Sequence, residues 1–247
     1  MPSHSFDILL PAFLAGMLVL ATHVPLGRLV LERGIVFIDL AIAQVAGLGV
    51  VAADFAGWEP TGWSVQASAA LAALAAAAFL VWTDRRFAAV QEAIIGVVFV
   101  VAASAEILLL SFNPHGAEEL KDLLVGQILW VTPGQLLPVA ALYGGLLAVI
   151  YLGGIRERRV LFYAVFALVV TASVQLVGIY LVFASLIMPA LATRRLAAAY
   201  AAGITGYVVG LAASLLLDLP TGAAVVCALA LVTALCAAAR AAVPPGG

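Results

Sequence analysis

Long apolar runs separated by short polar turns set the rhythm of this chain. The runs cover roughly residues 6–27, 35–55, 64–83, 93–112, 136–152, 160–193, 197–217 and 222–239. A helix crosses a bilayer with about 20 mainly apolar residues, and most of the runs have about that length. The run at 160–193 is too long for one pass: as a single helix it measures about 50 Å, against a hydrocarbon core of about 30 Å. Gln175 and Gly178 mark its middle and Pro189 its end. It therefore predicts two short helices, or one helix and a re-entrant piece. The pattern as a whole predicts an all-α, polytopic transmembrane helical bundle of eight or nine membrane segments, forming a single transmembrane domain over residues 1–247.

Composition removes the water-soluble alternative. Of the 247 residues, 66% are hydrophobic and 10% charged, where soluble domains carry about 25% charged residues. A mean hydropathy of +1.21 agrees, and the expected surroundings are a lipid bilayer. The net charge of -2 supplies no basic field for nucleic acid. The first apolar run has no basic segment ahead of it, so it reads as a permanent span rather than a cleaved signal. Cys227 and Cys236 lie nine residues apart in the last run, on roughly opposite helix faces, and read as packing residues.

Basic residues give the orientation. The turns bearing Arg28 and Arg33, Arg85 and Arg86, Arg156, Arg158 and Arg159, and Arg194 and Arg195 should face the cytoplasm. The alternate loops, 54–59, 114–132 and 218–221, are acidic or neutral and should face outward. The alternation holds if the long run returns to the side it left. The amino terminus then lies outside and the carboxyl terminus inside a cytoplasmic (inner) membrane.

Ionisable groups inside spans are costly and often functional. Here they are Asp39, Glu92 and Glu106, with the polar Gln44, Gln91 and Gln175. A carboxylate at Asp39 or Glu106 facing a shared route can bind or relay a cation; the plainer alternative is pairing with a neighbouring helix. Glu92 follows Arg85 and Arg86 closely and predicts an interfacial charge pair. In the 114–132 loop, Asn113 and Pro114 read as an N-cap and first helical residue. His115, Glu118, Glu119 and Asp122 then fall at i, i+3, i+4 and i+7, on one helical face. Imidazole plus carboxylate suits zinc, manganese or ferrous iron, so the patch is a candidate metal entry point or acceptor-protein contact. The alternative is an amphipathic helix with an acidic, dipole-favoured first turn. No nucleophile–base arrangement and no GxxxxGK[ST] phosphate loop is present. ATP-driven work would need a separate chain.

Five segments in order carry a resemblance: PLGRLVLERGIVFIDLAIAQVAGLGV at 25–50, QEAIIGVVFVVAASAEILLL at 91–110, LLVGQILWVTPGQLL at 123–137, VGIYLVFASLIMPALATRR at 177–195, and LDLPTGAAVV at 217–226. Together they resemble permeases of the manganese/zinc/iron class of ABC importers, most closely over 177–195. The resemblance implies a homodimeric permease, a cytoplasmic ATPase subunit, an external metal-binding protein, no covalently bound cofactor, and a divalent metal ion as cargo. The candidate pathway residues are then Asp39, Gln44 and Glu106, and the candidate entry patch is His115, Glu118, Glu119 and Asp122. An ABC permease for a metal chelate, a non-transporting partner subunit and a secondary transporter are the alternatives. Two departures stand out. The family has an Asp followed four residues later by His in its second span; here those positions are Leu40 and Gln44, with the carboxylate at Asp39. Between 152 and 160 the family has a longer segment, thought to dock on the ATPase, where this chain has only GGIRERR.

Overall fold

The computed structural model describes residues 2–58, 62–113, 115–126 and 128–241. Among these, ten α-helices follow one another without a strand: α1 (Pro2–Arg33), α2 (Ile38–Phe55), α3 (Trp63–Arg86), α4 (Gln91–Leu110), α5 (Gly116–Val125), α6 (Pro133–Leu152), α7 (Arg159–Val177), α8 (Ile179–Ala192), α9 (Leu196–Leu217) and α10 (Thr221–Ala241). Eight are long and apolar enough to cross a membrane, and α8 is a shorter apolar helix. The all-α polytopic bundle is therefore as the apolar runs predict.

The long apolar run resolves into two helices, α7 and α8, broken at Gly178. Gly178 has φ +80° and Gly126, in the loop after α5, has φ +72°. The two glycines lie back to back. A Cβ on Gly126 would meet Val177 O at 2.2 Å, and one on Gly178 would meet Gly126 N at 2.4 Å. Positive φ and backbone-on-backbone contact both demand glycine here. The break is buried against protein, where irregular backbone is tolerated at membrane depth. Pro189, read as the end of this run, instead sits inside α8, which continues to Ala192. The α9 backbone comes close enough there that a Cβ on Gly203 would lie 3.4 Å from the Pro189 ring.

The helix ends sort into two groups. At one end Arg33 donates to the carbonyls of Ile155 and Arg156. Glu32 pairs with Arg156 at 3.1 Å and Asp84 with Arg159 at 3.0 Å, and Arg240 donates to Leu191 O. At the other end Phe55 faces Phe112, and a Cβ on Gly222 would meet Val125 O. The arginine-bearing turns thus share one end, and α7 and α8 make the return that the charge alternation requires.

Span one is longer than the apolar pattern predicts. Its helix runs through Pro25 to Arg33 rather than stopping at 27 in a basic turn. Proline has no N–H to offer the carbonyl four residues back, which is Ala21 O. The Tyr200 hydroxyl of α9 donates to that carbonyl at 2.9 Å, so the helix passes the proline with the orphaned acceptor satisfied.

Burial separates interior from periphery. In α7, 67% of the span is buried, against 22% in each of α4, α6 and α10. Close packing of α9 on α10 uses small residues, as usual in lipid: Gly206 and Gly210 face Leu229 and Val225. Cys227, expected to pack, is exposed on the α10 surface.

Candidate functional site

Helix α2 brings two of the sequence-predicted polar residues inside the bundle. Gln44 and Glu106 are fully buried, and the Gln44 amide donates to Glu106 Oε2 across the α2–α4 contact. Gly47, one turn above Gln44, makes the room: a Cβ there would lie 2.6 Å from Glu106 Oε1. The carboxyl of α4 thus sits in a notch cut by a missing side chain on α2.

Asp39, in the first turn of α2, is 1% exposed. Both of its carboxylate oxygens are buried without a hydrogen-bond partner. It makes no bond to Gln44 or Glu106; Asp39 and Gln44, five residues apart on α2, point about 140° apart around the helix. Removing an ion from water costs several kcal/mol even after relaxation, so a buried carboxyl without a donor is stable only when a cation or a proton joins it.

A second polar group lies above, among α1, α6, α7, α8 and α9. The Tyr143 hydroxyl donates to Val169 O at 3.0 Å, contacts Ser173 Oγ and reaches the Thr22 hydroxyl. It also lies within electrostatic range of Asp39. Tyr207 bonds Ser185 at 2.8 Å, its ring held over Gly16. His23 is fully buried. Its Nδ1 lies 3.0 Å from Val19 O, which makes Nδ1 the donor and leaves Nε2 as a buried lone pair without a partner. The hydroxyls of this group are inconspicuous in the sequence because, scattered through apolar runs, they carry no charge; His23 is visible there, but reads as a lone packing or interfacial residue. The available signal was that a mid-span tyrosine needs a partner for its O–H.

Two nearby predictions resolve differently. Glu92 forms no ion pair with Arg85 or Arg86 among the described residues; its Oε1 accepts from the Phe37 backbone N–H at the start of α2. A carboxylate there meets the positive end of the α2 dipole, which wins over solvated arginines. Gln91 donates to Leu80 O and Tyr163 Oη, tying α4 to α3 and α7.

At the end opposite the arginine-bearing turns, His115, Glu118 and Asp122 line one cleft with Trp130, Gln135 and Gln175. Its volume is about 480 Å³. The α5 helix begins at Gly116, so His115 is its N-cap, and Asn113 Oδ1 accepts from the His115 N–H. Pro114 and the Glu119 side chain lie outside the described residues. Among those described, no three His, Cys, Asp or Glu side chains converge closely enough to hold a metal ion.

The model of the ABC 3 transport family matches residues 5–157 and 154–240. Among solved structures, the chain superposes on PsaBC from Streptococcus pneumoniae in complex with Fab, with TM-score 0.71, 19% identity, and 96% of this chain and 95% of that one covered. It also superposes on a metal-chelate type ABC transporter in an inward-facing conformation, with TM-score 0.58, 15% identity, and 99% and 82% covered. At these identities the structures share the fold. The family model spans nearly the whole chain, and with eight described helices long and apolar enough to cross a membrane the protein is a multi-pass transmembrane permease of the ABC 3 transport family.

Proposed function

We propose that this permease carries divalent metal ions, of the zinc, manganese and iron group, into the cell as one half of a homodimer. A cytoplasmic ATPase subunit would supply the energy and an external metal-binding protein the cargo. The observation that carries the reading is Asp39: a carboxyl 1% exposed, with both oxygens unpartnered, inside a membrane bundle. An intramembrane carboxyl of this kind marks an ion route. A passing cation supplies the charge that the site lacks, and the hydroxyls around Tyr143 offer neutral oxygen above it. Glu106 and Gln44 form the next polar station towards the outer end. His115, Glu118, Glu119 and Asp122 would form the entry patch. Alternating access would then expose this route to one side at a time, ATP binding shifting the balance between the two states.

A second reading is a metal chelate as cargo. It is favoured by the outer cleft, whose volume of about 480 Å³ exceeds what a bare ion needs.

Metal accumulation in cells lacking the chain, and then regaining it, separates these readings. Wild type restores uptake of at least one divalent metal salt at limiting concentration. Asp39→Asn at equal expression does not, and His115→Ala with Glu119→Ala reduces it. If uptake is unaffected by loss of the chain, metal import is rejected. If it returns only with a chelated metal, the second reading stands.

A further inference from the structure

We infer that the α3–α4 corner, residues 85–90, is the surface on which the ATP-hydrolysing subunit docks. This rests on the importer reading above. The family model matches in two pieces, residues 5–157 and 154–240, that meet at the turn between α6 and α7, where this chain has only GGIRERR. What remains there is a tight turn fastened to the bundle. Ile155 is 2% exposed, Arg33 takes the carbonyls of Ile155 and Arg156, and Glu32 and Asp84 pair with Arg156 and Arg159. The α1–α2 turn is fastened as well. The Arg33 guanidinium lies 4.2 Å from the centre of the Phe162 ring, and Glu92 accepts from Phe37 N.

The α3–α4 corner differs in three ways. It projects: Gly49 of α2 packs on Ser68 and Ala69 of α3, and counting residues from that contact to Ile38 and to Arg86 takes α3 about 9–10 Å beyond α2 at 1.5 Å per residue. It is open: residues 85–90 are all exposed, and Arg85 and Arg86 form no ion pair among the described residues. It is shaped: one 3-10 turn at Ala88–Val90 presents Phe87 and Val90, with Trp82 packed edge-on against Phe87 at 5.9 Å. A rigid apolar tip flanked by two free cations fits an apolar slot rimmed with acidic residues. The arginine-bearing end is the cytoplasmic one, and the chain has no phosphate loop of its own, so the partner waiting there is the nucleotide-binding one. Membrane lipid is the competing occupant. It favours aromatic and basic side chains at the interface itself and gives no reason for a tip raised beyond the neighbouring turn.

The test uses the full-length chain in its native membranes. A photo-cross-linking phenylalanine analogue replaces Phe87 in one version and Glu157 of the α6–α7 turn in another, and adducts are sequenced. The expected adduct at 87 is a protein containing GxxxxGK[ST]. In parallel, detergent-purified R85E/R86E carries about tenfold less co-purifying ATP hydrolysis than wild type, while the permease itself is recovered in equal yield with the same helical circular dichroism. An R194E/R195E control on the α8–α9 turn keeps it. Adducts at 87 to lipid alone, no adduct at 87, or undiminished ATP hydrolysis with R85E/R86E overturns the inference. If the wild-type chain brings down no phosphate-loop protein at all, the importer reading itself fails.

Discussion

Replacing Gly178 by Ala is the sharpest test of how this bundle closes at its outer end. Gly178 has φ +80° and ψ 162°, a region that only glycine occupies without strain of about 1–3 kcal/mol. The new methyl would also lie 2.4 Å from Gly126 N, 2.6 Å from Gly126 Cα and 2.7 Å from Val125 C. These are backbone atoms with no rotamer to change, so the insertion carries an overpacking cost of about 1–3 kcal/mol. Together the two costs come to about 2–6 kcal/mol, a large share of a typical stability of about 5–15 kcal/mol. At about 2–4 °C per kcal/mol for a chain of this size, the midpoint falls by about 4 °C or more. Thermal unfolding of the detergent-purified chain, followed by helical circular dichroism, measures it. Gly144→Ala is the control, because a Cβ there meets nothing within 4 Å. If Gly178→Ala melts together with Gly144→Ala, the Gly126–Gly178 seam is not tightly closed. The seam also bears on transport: Gly126, Val174 and Leu176 line the outer cleft beside it, so loosening it should let water-soluble thiol reagents reach cysteines placed deeper on α2.

Two further substitutions probe the interior. Gly47→Ala puts a methyl 2.6 Å from Glu106 Oε1; uptake should drop while expression and elution stay unchanged, and normal uptake would remove the Gln44–Glu106 station from the route. Tyr200→Phe removes the donor to Ala21 O beside Pro25; it should lower stability by about 1 kcal/mol, read by the same melting assay, and in a Pro25→Ala background, where a helical N–H returns, the same change should cost measurably less.

The sequence carried the membrane solvent, the eight-or-nine-segment bundle, the break in the long run and the grouping of the arginine-bearing turns at one end. Each follows from local quantities: run length against bilayer thickness, and arginines counted turn by turn. It also singled out Asp39, Gln44 and Glu106, because an ionisable group in an apolar run is conspicuous whatever surrounds it. What it could not carry was partnership. Glu92 chose a helix end 55 residues away over arginines six and seven residues away, and Arg33 crossed 122 residues to reach Ile155. Pro25 and Pro189 read as breaks because a proline costs a local hydrogen bond. Whether a helix continues past one depends on what stands opposite, and for Pro25 that is a tyrosine 175 residues further on. Gln44 meeting Glu106 in the notch of Gly47, and two positive-φ glycines meeting back to back, are likewise decided only when helices distant in sequence come together. Hydrophobicity and charge act residue by residue and survive in a one-dimensional reading. Hydrogen bonds and close contacts act over about 3–4 Å, so only the folded chain can say which groups they join.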